Sequence, residues 1–349
     1  MNFDIALLLL REGVAGGAIY ALLSLGTVLV FKITRIAFVS YGDLIAYSVL
    51  TLASIQANTL PGTVWLILIL AGLALFMEAF ELYRRKRLAM LWRSIFAYGV
   101  LPCAPVAVAA VLPTYELPMA FQIALTFALI LPLGPLMYRV VFQPMRTASV
   151  LTLLMTAAVV HFPMAGLALL FFGAEGYRTT EYISGSLNIG SFEIPAANVV
   201  VLIALAVIAV GLYVLFERTL WGKGLRATAV NGVGARLVGI RVASAGNSAF
   251  LIAAALAAIS GILIGPSLTV YSDTGFLIGL KGFVGAAIGG IASYPLALFG
   301  SLLVGIIESF GSFYSSALKD VAVFALLIPI VLLRGLSVHS EVEEEEEES

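Results

Sequence analysis

Apolar runs of about 20 residues recur along the whole sequence, and they limit the chain to few folds. A transmembrane α-helix needs about 20 mostly apolar residues, whereas the strands of a membrane β-barrel are much shorter. Only 11% of the 349 residues are charged, against about 25% in a soluble domain. The sequence therefore predicts an all-α polytopic membrane protein with about 8–10 transmembrane helices. The predicted spans lie near 10–31, 37–56, 63–80, 95–113, 119–141, 148–172, 197–216, 245–265 and 318–334.

The lysine and arginine residues are distributed unevenly between the predicted loops. When the spans alternate across the membrane, fifteen of the nineteen basic residues fall on one side. The outer side keeps Arg11, Arg178, Lys281 and Lys319. Because short loops rich in lysine and arginine stay in the cytoplasm, we expect the loop over 217–243 and the C-terminus to be cytoplasmic.

The glycine-rich segment near 277–315 must leave and return on the outer side for this topology to hold. We predict a broken or re-entrant segment, with a short helix entering the membrane, a break at Ser293, Tyr294 and Pro295, and a second helix leading back. Irregular backbone at membrane depth needs cover from protein or from a water-filled cavity, and broken helices often flank transport sites. The alternative is a pair of ordinary tilted helices with a proline kink.

The loop over 217–243 is basic and rich in small residues. Its stretch RTLWGKGLRATAVNGVGARLVGIR, from Arg218 to Arg241, holds five of the nineteen basic residues in 24 positions. The pattern predicts two short helices joined at Asn231 and Gly232. Small residues let another surface approach closely, so we expect a docking surface. The alternative is a loop whose charge serves only to orient the chain.

Several chemistries find little support in the sequence. The chain has a single cysteine, Cys103, and its two histidines, His161 and His339, are far apart, so neither a disulfide nor a metal site is expected. The phosphate-binding pattern G-x-x-x-x-G-K-[ST] does not occur, and we expect no ATP hydrolysis by this chain. Residues 337–349 form an acidic tail that is predicted to be disordered and cytoplasmic.

The basic loop resembles the cytoplasmic coupling loop of permeases of ABC transporters of the branched-chain amino acid type, where a stretch like GxxLRATAxNxxxARLxGI is typical. Three further stretches are similar to that family: GVAGGAIYALLSLGTVLVF, GLKGFVGAAIGGIASYPLALFGSLLVGIIES and LKDVAVFALLIPIVLLRGL. The resemblance covers about 1–56 and 139–336 and implies a permease domain over 1–336. It implies these residues for coupling to an ATPase: Gly222, Gly224, Arg226, Ala227, Asn231, Ala235, Arg236, Gly239 and Ile240.

The resemblance implies a transport subunit rather than an enzyme. Such a permease imports a small solute across the bacterial inner membrane. Its expected partners are two ATP-binding subunits that hold ATP and Mg²⁺, a second and related permease chain, and an extracytoplasmic solute-binding protein. No cofactor in this chain and no nucleic-acid partner are expected. The expected solute is a branched-chain or other hydrophobic amino acid, or a related small carboxylate or amide.

A translocation path is predicted between the first span and the glycine-rich segment. Helix N-termini at a break would attract a carboxylate there. A stand-alone channel or secondary carrier for a small polar solute is the alternative, but it predicts ion-coupling carboxylates in the spans, and few are visible. The residues predicted to lie near the path are Gly16, Gly17, Tyr20, Gly289, Gly290, Tyr294 and Glu308.

Two regions depart from the family pattern. The family commonly has a stretch like NFAHGE after its first span, where this chain has FVSYGD over Phe38–Asp43. We expect Asp43 to lie near the inner interface, where a charge costs little. The region over 75–118 is longer than usual and adds an apolar run at 95–113, which predicts an extra helix beside the family core.

Overall fold

The computed structural model describes all residues except 1–2, 85, 87–90, 112–116, 147, 184, 190–191, 241, 292, 316–318, 331 and 333–349. The acidic tail and part of the basic segment before the extra helix therefore lie outside the described residues. The described helices are α1 Phe3–Thr34, α2 Tyr41–Gln56, α3 Thr63–Arg84, α4 Leu91–Ile95, α5 Leu101–Val111, α6 Met119–Ile130, α7 Leu133–Met137, α8 Val150–Phe172, α9 Ala196–Arg218, α10 Leu220–Val230, α11 Gly232–Leu237, α12 Val242–Ile264, α13 Thr274–Ile288 and α14 Tyr294–Tyr314.

Shorter elements complete the described fold. The stretches Phe96–Val100 and Tyr138–Phe142 are π-helical and Gln143–Met145 is a 3-10 turn. Residues 319–330 are helical, within the last predicted span. An antiparallel pair of strands, β1 (Ser186–Ile189) and β2 (Phe192–Pro195), lies between α8 and α9.

Eight helices of the described residues are long and apolar enough to cross a membrane. The fold class predicted from the apolar runs, an all-α polytopic membrane protein, is thereby confirmed. The predicted extra helix is one of the eight, as a continuous helix over Leu91–Val111. It packs beside α3, where the Ser94 hydroxyl donates to Glu78 Oε1 at 3.3 Å.

The second span is shorter than predicted because α2 begins deep inside the bundle. The backbone turns back after α1, and the Ser40 hydroxyl donates to the carbonyl of Ala157. The Tyr47 hydroxyl donates to the carbonyl of Met164 at 2.9 Å. Both carbonyls belong to the central turns of α8, whose 23 residues run from Val150 to Phe172. At about 1.5 Å per residue the 16 residues of α2 cover roughly 24 Å, less than the ~30 Å of a hydrocarbon core.

Glycines bring the backbones of α1 and α14 into direct contact. A Cβ atom added to Gly13 would lie 2.7 Å from the Cα of Ile306, and one added to Gly17 would lie 2.7 Å from the Cα of Leu302. On the facing helix, a Cβ at Gly305 would lie 2.2 Å from the Gly17 nitrogen. Helices in lipid associate largely by such close packing.

The glycine-rich segment forms a helical hairpin that is interrupted between Ile288 and Tyr294, slightly earlier than the predicted break at Ser293, Tyr294 and Pro295. The helix α13 ends at Ile288, and α14 begins at Tyr294 with Pro295 in its first turn, where proline starts a helix well. Gly290 (φ 68°) and Ile291 (φ 56°) turn the chain in the left-handed region. The two helices pack antiparallel, because a Cβ at Gly289 would lie 2.6 Å from the nitrogen of Ala297, while Lys281 pairs with Glu308 farther along.

A side chain at Gly17 should therefore separate α1 from α14. We expect Gly17→Val to lower the free energy of unfolding by about 1–3 kcal/mol or more, because the new methyl groups meet backbone that cannot give way. Thermal unfolding followed by size-exclusion chromatography in detergent measures the effect. Gly211→Val on α9 is the matched control, since no described atom lies within 4 Å of a Cβ there. Equal midpoints for the two variants would contradict the packing described for α1 and α14.

Candidate coupling and translocation site

The basic loop folds as two short helices that meet at Asn231, as predicted. The Thr219 hydroxyl begins α10 by accepting from the Gly222 nitrogen at 3.0 Å. The Asn231 side chain begins α11 by accepting from the nitrogens of Val233 at 3.0 Å and Gly234 at 2.8 Å. Side-chain oxygens at the first position of a helix satisfy backbone donors that have no partner in the helix. The helix ends are thus determined locally by sequence.

The helix α10 folds back onto the end of α9. A Cβ at Gly222 would lie 2.0 Å from the carbonyl oxygen of Leu215, so only glycine permits this approach. The Arg226 guanidinium forms an ion pair with Glu217. Leu225 is buried against the bundle. The segment is therefore attached to α9 through backbone contact, an ion pair and an apolar side chain.

The end of α11 explains four more of the predicted coupling residues. The Ile240 nitrogen donates to the Ala235 carbonyl at 2.9 Å, and the Gly239 nitrogen donates to the Arg236 carbonyl at 3.1 Å. Gly239 has φ 86°. This pair of hydrogen bonds closes a helix when the residue after it is left-handed, a conformation that glycine adopts at low cost. The Arg236 guanidinium donates back to the Gly232 carbonyl at 3.1 Å.

The outer surface of this segment is apolar as well as basic. Leu220 is 88% exposed, Val230 is 86% exposed and Leu237 is 84% exposed, and Val238 follows at 75%. The two remaining predicted residues belong to α10. The Ala227 carbonyl accepts a hydrogen bond from the Asn231 nitrogen at 3.0 Å, and a Cβ at Gly224 would meet no described atom within 4 Å. A basic loop with a ridge of exposed apolar side chains is a surface suited to a protein partner.

A second cluster lies between α1, α13 and α14 and contains two residues of the predicted path. The Tyr20 hydroxyl donates to Glu308 Oε2 at 2.5 Å. The Lys281 ammonium donates to Glu308 Oε1 at 2.6 Å and lies 2.7 Å from Asp320 Oδ1. Lys281, counted on the outer side in the predicted topology, is buried within α13. Ionisable groups held inside an apolar bundle are commonly functional.

The other predicted path residues occupy different places. Gly16 faces a cavity of about 400 Å³ beside Tyr20 and Glu308, whereas Gly17 packs against α14. Gly289 and Gly290 lie at the turn of the hairpin. Tyr294 stacks on Phe216 of α9 at 6.1 Å between ring centroids. Glu308 follows Tyr294 by fourteen residues of one helix, roughly 21 Å, so the predicted set divides into two groups.

A third polar site was not identified from the sequence. His161 Nδ1 lies 3.0 Å from Asp43 Oδ1, and the imidazole stacks on Phe276 at 4.5 Å between centroids. Asp43 is buried, and His161 is at the middle of α8. The structure thus places Asp43 inside the bundle rather than near its inner interface. A carboxylate and a histidine separated by 118 positions give no local sequence signal of their pairing.

The chain is similar to known membrane proteins over most of its length. Residues 9–332 match the family described as the permease component of branched-chain amino acid transport systems. The high-affinity branched-chain amino acid permease proteins LivH of Salmonella typhimurium LT2 and of Escherichia coli K12 are each 32% identical over 216 residues, which cover 59% of this chain and 70% of theirs. BraD of Pseudomonas aeruginosa is 33% identical over 167 residues, 47% of this chain and 54% of its own length. No solved structure matches the chain significantly.

The eight apolar helices of the described residues are those of a multi-pass membrane protein. The chain belongs to the family of permease components of branched-chain amino acid transport systems. The resemblance deduced from the basic loop is confirmed.

The caps of α11 predict its local stability. We expect Asn231→Ala and Gly239→Ala each to speed amide hydrogen exchange over Val233–Gly239 by about fivefold, because each change removes about 1 kcal/mol of local stability. Mass spectrometry of the purified chain measures the exchange. Gly224→Ala is the control, since its backbone angle is ordinary and alanine favours a helix. Unchanged exchange in both cap variants would show that these hydrogen bonds do not hold α11.

Proposed function

We propose that this chain is the membrane-spanning subunit of an importer that is driven by two separate ATP-binding subunits. The observation that carries the proposal is the coupling segment, α10 and α11, with its exposed apolar ridge beside basic residues. The family membership supports the transport role. The apolar ridge is the surface on which we propose that an ATP-binding subunit docks and acts. We place this segment and the C-terminus in the cytoplasm and the chain in the bacterial inner membrane, in line with the positive-inside rule.

The proposed partners are those that the resemblance to the family implies. Each ATP-binding subunit supplies ATP and Mg²⁺, a second permease chain completes the path, and an extracytoplasmic binding protein delivers the solute. The relatives LivH and BraD are named as branched-chain amino acid permeases. We therefore propose that the solute is a branched-chain or other hydrophobic amino acid. We also propose that its transport involves no covalent chemistry in this chain.

The hairpin of α13 and α14 supplies a mechanical connection from the coupling segment to the buried cluster. Tyr294 at its turn stacks on Phe216, which precedes the paired residue Glu217. The Lys32 ammonium lies 4.8 Å from the centroid of the same Tyr294 ring. Movement of the end of α9 would therefore shift the turn, and α14 would carry the shift to Glu308.

Removal of the apolar ridge should release the ATP-binding subunits. For the double variant Leu220→Ser, Leu237→Ser we expect at least a tenfold loss of co-purifying ATP-binding subunits, because exposed apolar anchors supply most of the energy of such an interface. Quantitative mass spectrometry of the complex purified from its native membrane measures the ratio. Tyr271→Ser is the control, as Tyr271 is exposed beyond the opposite end of α12. A complex that keeps its ATP-binding subunits in the ridge variant would contradict the proposal, as would ATP-independent uptake by the purified chain alone in liposomes.

The stacking of Tyr294 should affect coupling rather than assembly. We expect Tyr294→Ala to reduce the solute moved per ATP hydrolysed by about 2–10-fold, because it removes a ring contact and a cation–π contact of about 0.5–1.5 kcal/mol each. Uptake and ATP hydrolysis measured together in proteoliposomes give the ratio. Tyr294→Phe keeps the ring and should behave like the unaltered chain. An unchanged ratio for Tyr294→Ala would rule out this route of coupling.

A further inference from the structure

A second cavity, of about 730 Å³, lies beside α11 of the coupling segment. Its size is within the ~300–1,000 Å³ of small-molecule sites. Several membrane-spanning helices begin or end around it. The helix α1 ends at Thr34, the apolar span Met119–Met145 ends nearby, α8 begins at Val150 and α12 begins at Val242. The cavity is therefore at the level of the lipid headgroups, on the same side of the membrane as the coupling segment.

One wall of this cavity is apolar and firmly packed. Tyr138 and Phe142 line it, and both residues are buried. Each of the two rings packs on Phe250 of α12, at 5.2 Å between ring centroids. Gly246 makes room for Tyr138, because a Cβ there would overlap the tyrosine hydroxyl. With Leu153 of α8 beside them, these side chains offer a fixed nonpolar surface that an acyl chain would cover favourably.

The charged residues that line the same cavity are both cationic. They are Arg146 and Arg236, and no carboxylate is among the described lining residues. Neither arginine belongs to an ion pair between described residues. Arg236 uses its Nε to bond the Gly232 carbonyl, so its terminal nitrogens stay available to a ligand. The Tyr138 hydroxyl is within electrostatic range of Arg146 and makes no hydrogen bond to a described residue, so it can donate to an anion as well.

This combination of charge and apolar surface selects among ligands. Guanidinium groups bind phosphate oxygens through paired, charge-assisted hydrogen bonds. A soluble phosphate would use the two arginines but leave the apolar wall uncovered. A zwitterionic lipid would cover the wall but bring its own ammonium toward two positive charges. An anionic phospholipid satisfies both parts of the cavity at once.

We propose that this cavity binds one anionic phospholipid, with its phosphate at Arg146 and Arg236 and the upper part of an acyl chain against Tyr138 and Phe142. With the coupling segment in the cytoplasm, as proposed above, the lipid comes from the inner leaflet, where basic pockets between spans attract anionic headgroups. The bound lipid would connect α11 to the ends of α1 and α12. Its binding needs neither solute nor ATP, so this site and the proposed import function can fail independently.

The test is native mass spectrometry of the full chain in detergent, titrated with dioleoyl phosphatidylglycerol or dioleoyl phosphatidylcholine. We expect one phosphatidylglycerol to bind at least tenfold more tightly than phosphatidylcholine. Equal binding of the two lipids would overturn the proposal. Displacement of the lipid by glycerol 3-phosphate at an equal concentration would assign the cavity to a soluble phosphate instead. Phosphatidylglycerol binding that appears only after removal of residues 337–349 would assign it to the acidic tail, and this result too would overturn the proposal.

Matched variants separate this site from a general attraction of lipid to the basic loop. Arg146→Gln changes an exposed side chain that has no ion pair with a described residue, so folding should be unaffected. We expect it to weaken phosphatidylglycerol binding at least threefold, and the double variant Arg146→Gln, Arg236→Gln to abolish the preference over phosphatidylcholine. The control Arg218→Gln, Lys223→Gln removes two exposed charges of the same loop outside the cavity and should bind like the unaltered chain. An equal loss in the control, or no loss in the double variant of the cavity, would overturn the proposal.

Discussion

Direct contact between the backbones of α1 and α14 is the constraint on which the rest of the structure depends. Lipid offers no hydrophobic force between helices, so close packing must hold them together. Gly13, Gly17 and Gly305 remove the side chains that would keep the two backbones apart. The same closeness lets Tyr20 reach Glu308 and lets α13 bring Lys281 to that carboxylate. A buried charge that receives hydrogen bonds from two neighbouring helices is then tolerable in an apolar bundle.

Features that depend on neighbouring residues were predictable, and features that depend on distant ones were not. The length of the apolar runs predicted the spans, and Asn231 and Gly232 predicted the two helices of the basic loop, because capping residues act within a few positions. The start of α2 inside the bundle was missed, since its reason is contact with α8 across more than a hundred residues. The partners of Glu308 were likewise hidden, because 288 positions separate it from Tyr20.

The stretch FVSYGD illustrates how a departure from a family pattern can be absorbed. Tyr41 is fully buried; its hydroxyl donates to the Ala253 carbonyl at 3.1 Å, and its ring occupies the space left by Gly26. Asp43 keeps an acid at the sixth position of the motif and finds its partner in His161 of α8. The aromatic residue Tyr41 is part of the core. Asp43 of α2 contacts His161 of α8, and the His161 imidazole in turn stacks on Phe276 of α13. The site residues of relatives therefore cannot be transferred here by alignment of this motif alone.

The contact of Gly222 with Leu215 has a mechanical consequence. Where two helices meet through side chains, the side-chain torsions can rotate and absorb part of an imposed displacement. Between α10 and α9 the carbonyl of one backbone rests against the α-carbon of the other, and this joint has little compliance. A displacement of α10 would therefore act directly on the end of α9, since no side-chain torsion lies between the two backbones at this contact. Because Gly222 has no side chain, it allows this direct contact between the backbones of α10 and α9.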